Sequence, residues 1–527
     1  MVSFAKRIFL LILLILPFLF TTEGFAQHYG IGMPFITSFG EKDFNVSSQN
    51  WDVVQDSRQV MYFANDYGVL EFDGSNWNII QVPDNRSVTR SLAFGSNHRL
   101  YAGGQDFIGY IDSGDSALNM NSLADMLPPG EQNFGTIWKI FNVDNKMIFF
   151  SWNALFIFDG QSFKIIKADQ PFKTCFKVGK RIFIHGDKLY ELKGDSLKSL
   201  PASDYMKDRN IAFISDISEN NLLIAFDDGE MVTYDYQTVT PFSLSDKTLL
   251  KENKFLCGIR LKNNLFLAGT SDNGLIVFDK SGRVHKHITK SDGLGHNHIK
   301  QVFEDDNGNW WILNENGIDI VEASSPFYRI SVDPENPLSV YSSFHFKDRI
   351  YAATHSGLYV APWNNYTSNP VFKRVPGVGD ICWNLDTLGG NLYLSNGDGL
   401  YRVENELAVN IYNGTPVWTL IRLPQHPDVV LAGTYEGLAL FKRVNGTLQF
   451  VKKLKGYSET SRVAAVDNEG NVWISHGFKG VFKITLSDAA DSILNVEFYN
   501  SNKGFPSNLF INVFKINGEI IFGTQLG

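Results

Sequence analysis

The chain has 527 residues, of which 44% are hydrophobic and 14% aromatic, and its formal net charge is -9. This length gives room for two or three domains with large cores, and the aromatic content favours β-structure. Because the chain carries no basic excess, it lacks the positive field that attracts nucleic acid, and we exclude nucleic acid as a partner of this part of the protein.

Residues 1–26 have the pattern of a secretory signal peptide. Lys6 and Arg7 precede an apolar run over residues 8–20, and Gly24 and Ala26 supply small side chains at the cleavage positions. A membrane anchor is the alternative, but the run is shorter than the roughly 20 residues of a spanning helix. We therefore expect cleavage before Gln27 and an exported chain in the periplasm or another extracytoplasmic space.

The three cysteines, Cys175, Cys257 and Cys382, are far apart and lie in apolar, strand-like segments. This setting predicts buried, unpaired thiols rather than disulfides or metal ligands. No cofactor is predicted for the chain.

Residues 299–321, with the sequence IKQVFEDDNGNWWILNENGIDIV, show the unit that the chain repeats. Asp305 and Gly308 predict a tight turn between two strands, because the carboxylate accepts backbone N–H groups and glycine takes a positive φ. The apolar run WWIL that follows predicts a strand covered on both faces. Residues 327–330 are the predicted fourth, outer strand of this small sheet. Equivalent turns are predicted at Asp56, and at Asp467 with Gly470.

The third strand of this unit recurs along the chain with a period of about 40 residues. Repeats of this length, each a four-stranded antiparallel sheet with almost no helical periodicity between them, predict an all-β chain of β-propellers. The recurring strands begin at Gly68, Gly109, Ala154, Lys188, Gly229, Gly274, Gly317, Gly357, Gly399, Gly437 and Gly480.

The repeats divide into two sets separated by residues 331–339, a segment with two prolines and no strand pattern. We predict a signal peptide over 1–26, a first seven-bladed propeller over 27–330, a linker over 331–339, and a second propeller over 340–527. The second propeller is expected to stop after four blades and part of a fifth, which suggests a fragment of a longer protein. The first ring is expected to close either through strands of its seventh repeat or through an outer strand at residues 34–37.

The motifs DDNGNWWILNENGIDI and DNEGNVWISHGFKGVF resemble the repeat of the two-component regulator propeller family. The segments SDGLGHNHI and NKGFPSNLF resemble the loop that this family places before its innermost strand. Ala154 and Lys188 depart from the glycine of the family pattern. The resemblance implies the periplasmic sensor region of a bacterial membrane receptor, which would continue beyond Gly527 into a triple-tyrosine domain, a membrane helix and a histidine kinase or helix-turn-helix output.

From this resemblance we expect a non-catalytic sensor of an extracytoplasmic ligand, often carbohydrate-related in the family. A receptor homodimer is a further expected partner. Contact with the membrane is expected only through the downstream segment.

Four histidines cluster at His285, His287, His296 and His298, and H-x-H spacing on a strand would place two imidazoles on one face, as a metal site needs. The alternative is that His296 and His298 position the loop around Asn297, and we assign no metal site. Calcium binding at Asp305 is also set aside, because the distal glutamate of an EF-hand loop is absent.

Four tryptophans, Trp51, Trp138, Trp383 and Trp418, fall at or near the start of innermost strands, where a propeller lines its central channel. Aromatic faces there suit stacking on a sugar or contact with a peptide, and core packing is the alternative. These tryptophans, with His296 and His298, are the candidate ligand-binding residues.

Two other classes of function stay open. The D-x-x-G-x-x-W turns are similar to sialidase Asp-boxes, so an exported propeller glycoside hydrolase or lyase is one alternative, and a protein-interaction scaffold is the other. No carboxylate pair stands out from the turn positions, and neither G-x-S-x-G nor a P-loop occurs. We therefore name no catalytic residue.

Overall fold

The computed structural model of the protein describes residues 32–82, 88–112, 119–251, 253–333, 336–363, 370–379 and 381–527. The expected signal peptide lies outside these residues. The chain divides into two compact units, Met1–Tyr328 and Arg329–Gly527. Both units are built from short antiparallel strands, and the α-helix of the described part is the single turn Glu41–Phe44. None of the described helices is long and apolar enough to cross a membrane.

Within the described residues, unit 1 contains seven four-stranded antiparallel sheets, numbered here in the chain order of their first strands. Strand β1 is Ile36–Phe39 and belongs to sheet 7. Sheets 1 to 3 consist of β2–β5 (Asn50–Gln55, Met61–Asn65, Gly68–Phe72, Trp77–Ile80), β6–β9 (Thr89–Phe94, Leu100–Gly104, Phe107–Ile111, Met120–Ser122) and β10–β13 (Lys139–Val143, Lys146–Phe150, Ala154–Phe158, Phe163–Lys167). Sheets 4 to 7 consist of β14–β17 (Thr174–Val178, Arg181–His185, Leu189–Lys193, Ser196–Ser199), β18–β21 (Ile211–Ser218, Asn221–Phe226, Met231–Tyr234, Val239–Phe242), β22–β25 (Phe255–Arg260, Phe266–Thr270, Leu275–Phe278, Val284–Ile288) and β26–β28 (Ile299–Glu304, Trp310–Asn314, Gly317–Val321) with β1.

Unit 2 contains four further four-stranded sheets and one two-stranded sheet within its described residues. Sheets 8 and 9 are β29–β32 (Val340–Phe346, Arg349–Thr354, Gly357–Pro362, Lys373–Arg374) and β33–β36 (Cys382–Leu388, Asn391–Asn396, Gly399–Glu404, Leu407–Asn413). Sheets 10 to 12 are β37–β40 (Val417–Arg422, Val429–Thr434, Gly437–Val444, Thr447–Lys453), β41–β44 (Val463–Val466, Val472–His476, Gly480–Leu486, Ile493–Tyr499) and β45–β46 (Asn512–Ile516, Glu519–Gly523).

Every predicted recurring strand lies at the third position of its sheet. This holds for the two repeats that lack the glycine, since Ala154 begins β12 and Leu189, next to Lys188, begins β16. The recurrence of this strand about every 40 residues therefore correctly identifies the third strand of each four-stranded sheet.

Sheet 7 takes its fourth strand from the start of the unit, so the prediction for residues 327–330 is wrong. β1 pairs antiparallel with β28, and Ile36 lies opposite Val321. After β28 the chain turns, because Ser325 donates its backbone N–H to the carbonyl of Glu322 at 3.2 Å, and residues 327–330 leave the sheet. The alternative outer strand at residues 34–37 is confirmed, with the strand shifted to Ile36–Phe39.

Strand β27 shows how the sheets of unit 1 cover one another. All five of its residues are buried, as the WWIL run predicts. Trp310 packs in a core with Val277 of sheet 6, whereas Trp311 packs in a core with Phe63 of sheet 1, at 5.5 Å between ring centroids. Sheet 7 therefore lies between sheets 6 and 1, and the first and last sheets of the unit are in contact.

The three aspartates predicted in turns lie between first and second strands, and two of them, Asp305 and Asp467, also bind a tryptophan. The carboxylate of Asp305 accepts the backbone N–H of Asn309 at 2.9 Å and the indole N–H of Trp311 at 3.0 Å, while Gly308 has φ +84°. Asp467 accepts the indole N–H of Trp473 at 2.9 Å, and Gly470 has φ +88°. At Asp56 the positive φ of +69° falls on Gln59 instead. The D-x-x-G-x-x-W motif thus ties the turn to the second strand.

The three cysteines are buried and unpaired. Burial raises the pKa of the thiol of Cys257 to about 12, which keeps it protonated at neutral pH.

Valine at Gly308 or Gly470 is expected to destabilise its own unit, because a β-branched residue resists the positive φ of the turn. We expect a loss of about 1–3 kcal/mol in the free energy of unfolding for each variant, measured by urea denaturation.

The matched controls are Gly308→Asn and Gly470→Asn, since asparagine tolerates the left-handed region better than valine. The controls are expected to lose clearly less stability. Equal stability of the valine variants and the unaltered protein would contradict the assigned turn geometry.

The carboxyl group of Asp467 gives a second prediction, on pH. Burial opposes its ionisation, but hydrogen bonds from Asn471 and Trp473 outweigh burial and hold its pKa below the usual value. A group with a depressed pKa in the folded state stabilises the fold above its unfolded pKa and loses that effect as the pH falls. Asp467→Asn is therefore expected to cost about 1–3 kcal/mol at neutral pH and progressively less below about pH 4.

This difference is measured by urea unfolding of both proteins between neutral and acidic pH. Asp488→Asn, at an exposed aspartate of the same sheet, is the control that is expected to show no such difference. A cost that stays constant across this pH range would contradict a stabilising role for the ionised carboxylate.

Candidate functional site

The first strands of the seven sheets in unit 1 meet around one cavity of about 570 Å³. β2 contacts β6, β6 contacts β10, β14 contacts β18, β18 contacts β22 and β22 contacts β26, and β26 of the last sheet contacts β2 of the first. All seven first strands or the residues directly before them contribute to the lining. We call this space the central cavity. Its lining residues are Trp51, Arg90, Trp138, Lys139, Phe141, Phe150, Trp152, Lys173, Thr174, Cys175, Phe176, Lys177, Ile211, Ala212, Phe213, Ile214, Leu256, Cys257, Gly258, Ile259, Lys300 and Gln301.

One end of the central cavity is formed where the first strands begin, and we call this end the mouth. Trp51 and Arg90 are second in β2 and β6, and Trp138 directly precedes β10. The loops between second and third strands lie at the same end, because the second strand runs antiparallel to the first. The aspartate turns connect first to second strands and therefore lie at the opposite end.

The mouth presents aromatic faces and a guanidinium. Trp138 stacks on Trp152, with ring centroids 5.1 Å apart and planes inclined by 20°. The guanidinium of Arg90 lies 3.9 Å from the ring centroid of Trp51, within the range of a cation–π contact. Asp66 holds this pair, accepting from Arg90 at 2.8 Å and from the Trp51 indole at 2.9 Å. Trp152 is 52% exposed, so one indole face is open to a ligand.

The central cavity is lined by five cationic side chains and by no carboxylate among the described residues. Two of the cations have carboxylate partners outside the lining: Arg90 pairs with Asp66, and Lys300 pairs with Glu315 at 2.8 Å. The remaining three are Lys139, Lys173 and Lys177.

Two of these three lysines bind backbone carbonyls only. Lys173 donates to the carbonyls of Lys207 and Arg209 at 2.8 and 3.0 Å, and Lys177 donates to the carbonyl of Asn142 at 2.9 Å. Desolvation within the cavity lowers the pKa of the Lys177 ammonium. Their positive charges are therefore not neutralised by a neighbouring carboxylate.

Lys139 has no hydrogen bond or ion pair to any other described residue. Its ammonium lies close enough to the thiols of Cys175 and Cys257 to oppose the increase in their pKa that burial causes. These two cysteines belong to β14 and β22 and line the central cavity, as Lys139 does.

Unit 2 has an aromatic row at the starts of its own first strands. Trp383 lies 4.3 Å from Trp418, which stacks on Tyr435 at 4.9 Å with planes inclined by 14°. Tyr341 extends the row at 5.1 Å from Trp383, and the guanidinium of Arg462 lies 5.3 Å from Trp418. Tyr341 and Tyr435 are about half exposed, which leaves the two ends of the row accessible.

The ring of each of the four histidines contacts a backbone group or a carboxylate. His298 donates its backbone N–H to the ring of His296 at 2.9 Å, and its own ring contacts the carbonyl of Ser271 at 3.0 Å. His285 contacts Asp279, and His287 contacts the carbonyl of Asn273, both at 2.9 Å. In the described part of the chain, no three His, Cys, Asp or Glu side chains are grouped as a metal site requires.

In both segments that resemble the family's loop, residues 291–299 and 502–510, an asparagine side chain fixes the conformation of the loop. Asn297 accepts the backbone N–H of Lys290 at 2.7 Å, and Asn508 accepts the backbone N–H of Ser501 at 2.7 Å. These bonds close the loop that leads into the first strand of sheets 7 and 12.

The structure thus brings together two of the four candidate tryptophans in each unit. Trp51 and Trp138 share the mouth of unit 1, and Trp383 and Trp418 are adjacent in unit 2. Sequence reasoning missed Trp152, Tyr435 and the lining cations. A signal for them exists: an aromatic residue directly or two positions before a recurring third strand, and a cation at or beside the start of a first strand, as at Arg90, Lys139, Lys173 and Lys300.

Two pairs of tryptophans have closely spaced rings: Trp138 with Trp152, and Trp383 with Trp418. Each pair is expected to give coupled indole transitions in circular dichroism. Trp418→Phe and Trp152→Phe are each expected to remove part of the coupled signal. Trp473→Phe is the control, since Trp473 contacts Tyr499 and Phe522 but no tryptophan among the described ring contacts. Spectra that change equally in all three variants would contradict the pairing.

Several solved structures are similar to this chain in architecture. The extracellular domain of a hybrid two-component system, BT3049 of B. thetaiotaomicron, matches over 93% of this chain and 70% of its own, with a TM-score of 0.67 and 15% identity. The extracellular domain of a one-component system, BT4673 of the same organism, covers 93% and 71% at a TM-score of 0.44 and 14% identity. The WD40 β-propeller domain of Doa1 covers 56% and 97% at a TM-score of 0.44 and 14% identity.

No protein-family profile matches the chain, and no curated protein matches it. The likeness to the BT3049 extracellular domain is a likeness of fold at 15% identity, and it agrees with the resemblance that the sequence motifs carry. In fold, the chain is a β-propeller protein similar to the extracellular domain of the two-component system BT3049 of B. thetaiotaomicron.

Proposed function

We propose that the protein is the ligand-sensing region of an extracytoplasmic signalling receptor, and that it binds a carbohydrate without transforming it. In this proposal unit 1 is a seven-bladed propeller and unit 2 belongs to a second propeller that follows it in tandem. The receptor is anchored in the membrane through a segment outside the part described, works as a homodimer, and passes the signal to a kinase or helix-turn-helix output.

One observation carries the proposal: the first strands of all seven sheets in unit 1 line a single cavity whose mouth offers open indole faces. A cavity of about 570 Å³ falls within the range of small-molecule sites in proteins. Indole faces beside polar groups suit the apolar face of a sugar ring, which has hydroxyl groups at its edge. The Trp138 and Trp152 pair provides such a face.

Unit 2 supports the same reading independently. Its row from Tyr341 to Tyr435 occupies the equivalent positions, at the starts of first strands and in a loop between second and third strands. Repetition of an aromatic face at equivalent positions in both units favours binding over core packing, since the exposed ends of the row add little to a core.

The hydrolase alternative has weaker support from the lining. Glycoside hydrolysis requires a pair of carboxyl groups, or an equivalent nucleophile, on either side of the scissile bond. None of the described residues that line the central cavity is an aspartate or glutamate. The aspartates of the Asp-box-like turns are bonded to backbone and indole donors at the other end of the sheets.

The test is a glycan panel titrated into the purified chain by calorimetry, with chromatography of the same samples for reaction products. We expect binding of at least one glycan and no product. Trp152→Ala is expected to weaken binding about tenfold, since stacking on one aromatic side chain contributes on the order of 1 kcal/mol.

Ile79→Ala, at a partly exposed position of outer strand β5, is the control that is expected to leave binding unchanged. Turnover that survives repurification and disappears on substitution of one acidic residue would overturn the sensor proposal in favour of a hydrolase. Absence of binding to every glycan, with the scaffold alternative then preferred, would overturn it as well.

A further inference from the structure

The charge of the central cavity is opposite to the charge of the chain. The protein carries a net charge of -9, yet five cations and no carboxylate stand among the described lining residues. Ammonium and guanidinium groups can bind neutral hydroxyl groups, but they attract a fixed negative charge more strongly, so this lining favours an anionic ligand over a neutral one. The charge of the lining therefore indicates the charge of the ligand, which the aromatic faces alone do not.

Three of the five cations are available to a ligand as charges. Arg90 and Lys300 are already paired with Asp66 and Glu315, and their side chains are 18% and 12% exposed. Lys173 and Lys177 bind only backbone carbonyls, and Lys139 has no partner among the described residues. Uncompensated ammonium groups in a partly enclosed space raise the local concentration of anions and favour their binding.

The position of Lys139 links charge and stacking. It follows Trp138 directly in the chain, so the ammonium stem and the stacked indole pair of Trp138 and Trp152 start from adjacent backbone positions. Lys139 and the two indoles line the same cavity. A ring stacked on the indole pair would therefore lie in the same cavity as the ammonium group of Lys139.

We infer that the ligand of the central cavity is an anionic oligosaccharide, with a sugar ring over the Trp138 and Trp152 pair and a carboxylate or sulfate group facing Lys139. This inference rests on the proposed sensing function and names its ligand class. The shared chemistry is a pyranose that bears a fixed negative charge. Uronic acids and sulfated sugars are its two sources.

The test uses matched pairs of glycans that differ only in charge. Trigalacturonate is compared with its methyl ester, and a chondroitin sulfate tetrasaccharide is compared with its desulfated form, each titrated by calorimetry into the purified chain. We expect one charged member to bind at least about tenfold more tightly than its neutral counterpart, and its affinity to fall as salt is added. The member that binds identifies carboxylate or sulfate as the recognised group.

The variants locate the site. Lys139→Gln is expected to weaken binding of the charged glycan about tenfold and to leave the neutral counterpart unchanged, whereas Lys139→Arg is expected to retain binding. Lys180→Gln, in the turn between β14 and β15 at the opposite end of the sheets, is the matched control and is expected to bind normally. If Lys139→Gln does not fold, Lys177→Gln tests the same charge dependence from the neighbouring first strand.

The outcomes separate this inference from the proposed function. Equal affinity for charged and neutral members would overturn the anionic ligand and leave sugar sensing standing. Charge-dependent binding that persists in both Lys139→Gln and Lys177→Gln would overturn the central cavity as its location. Absence of binding to all four glycans would overturn the inference, and absence of binding to the wider neutral panel too would overturn the proposed function.

Discussion

A close backbone approach, between a glycine that begins the third strand and a carbonyl of the fourth, constrains the sheets in which that glycine occurs. A β-carbon built on Gly317 would stand 2.1 Å from the carbonyl oxygen of Phe39, far inside any normal contact. The same collision would occur at Gly399, 1.8 Å from the carbonyl oxygen of Tyr412. The glycine therefore allows the fourth strand to lie against the third. In sheet 7 that fourth strand is β1, so the closure of unit 1, and with it the central cavity, depends on a residue without a side chain.

Much of the fold could be predicted because its determinants are local. Each determinant occupies a few consecutive residues: the aspartate turn, the glycine at positive φ and the buried third strand. In the unit at residues 299–321 they can be recognised in the sequence from Asp305, Gly308 and Gly317. The outer strand of sheet 7 could not be assigned in this way. Residues 327–330 and Ile36–Phe39 both have short β-like patterns, and only the pairing with β28, which joins distant parts of the chain, decides between them.

In the candidate site, too, the residues whose positions depend on the local repeat could be predicted, and the contacts between different sheets could not. Trp51, Trp138, Trp383 and Trp418 were recognisable because the repeat gives each residue a position within its sheet. Their neighbours across the ring were not, since the contact between Arg90 and Trp51 joins two different sheets and no repeat encodes it. The uncompensated charge of Lys139 was also invisible, because the absence of a partner is a property of the assembled cavity. The family-like asparagines were different, since Asn297 and Asn508 act within their own loops and the sequence alone showed their role.

The pairing of β1 with β28 also has a mechanical consequence. Ile36 lies opposite Val321, so the chain enters the ladder and leaves it at the same end. Tension between the N-terminal segment and the chain that leads to unit 2 would load these hydrogen bonds one pair after another, as a zipper opens, rather than all at once in shear. Bonds that stand before the ladder include those from Lys286 to the carbonyl of Gly32 and from the backbone N–H of Glu322 to the carbonyl of Phe35, both at 2.9 Å. Tension between these two segments is therefore applied directly to sheet 7, whose first strand β26 lines the central cavity.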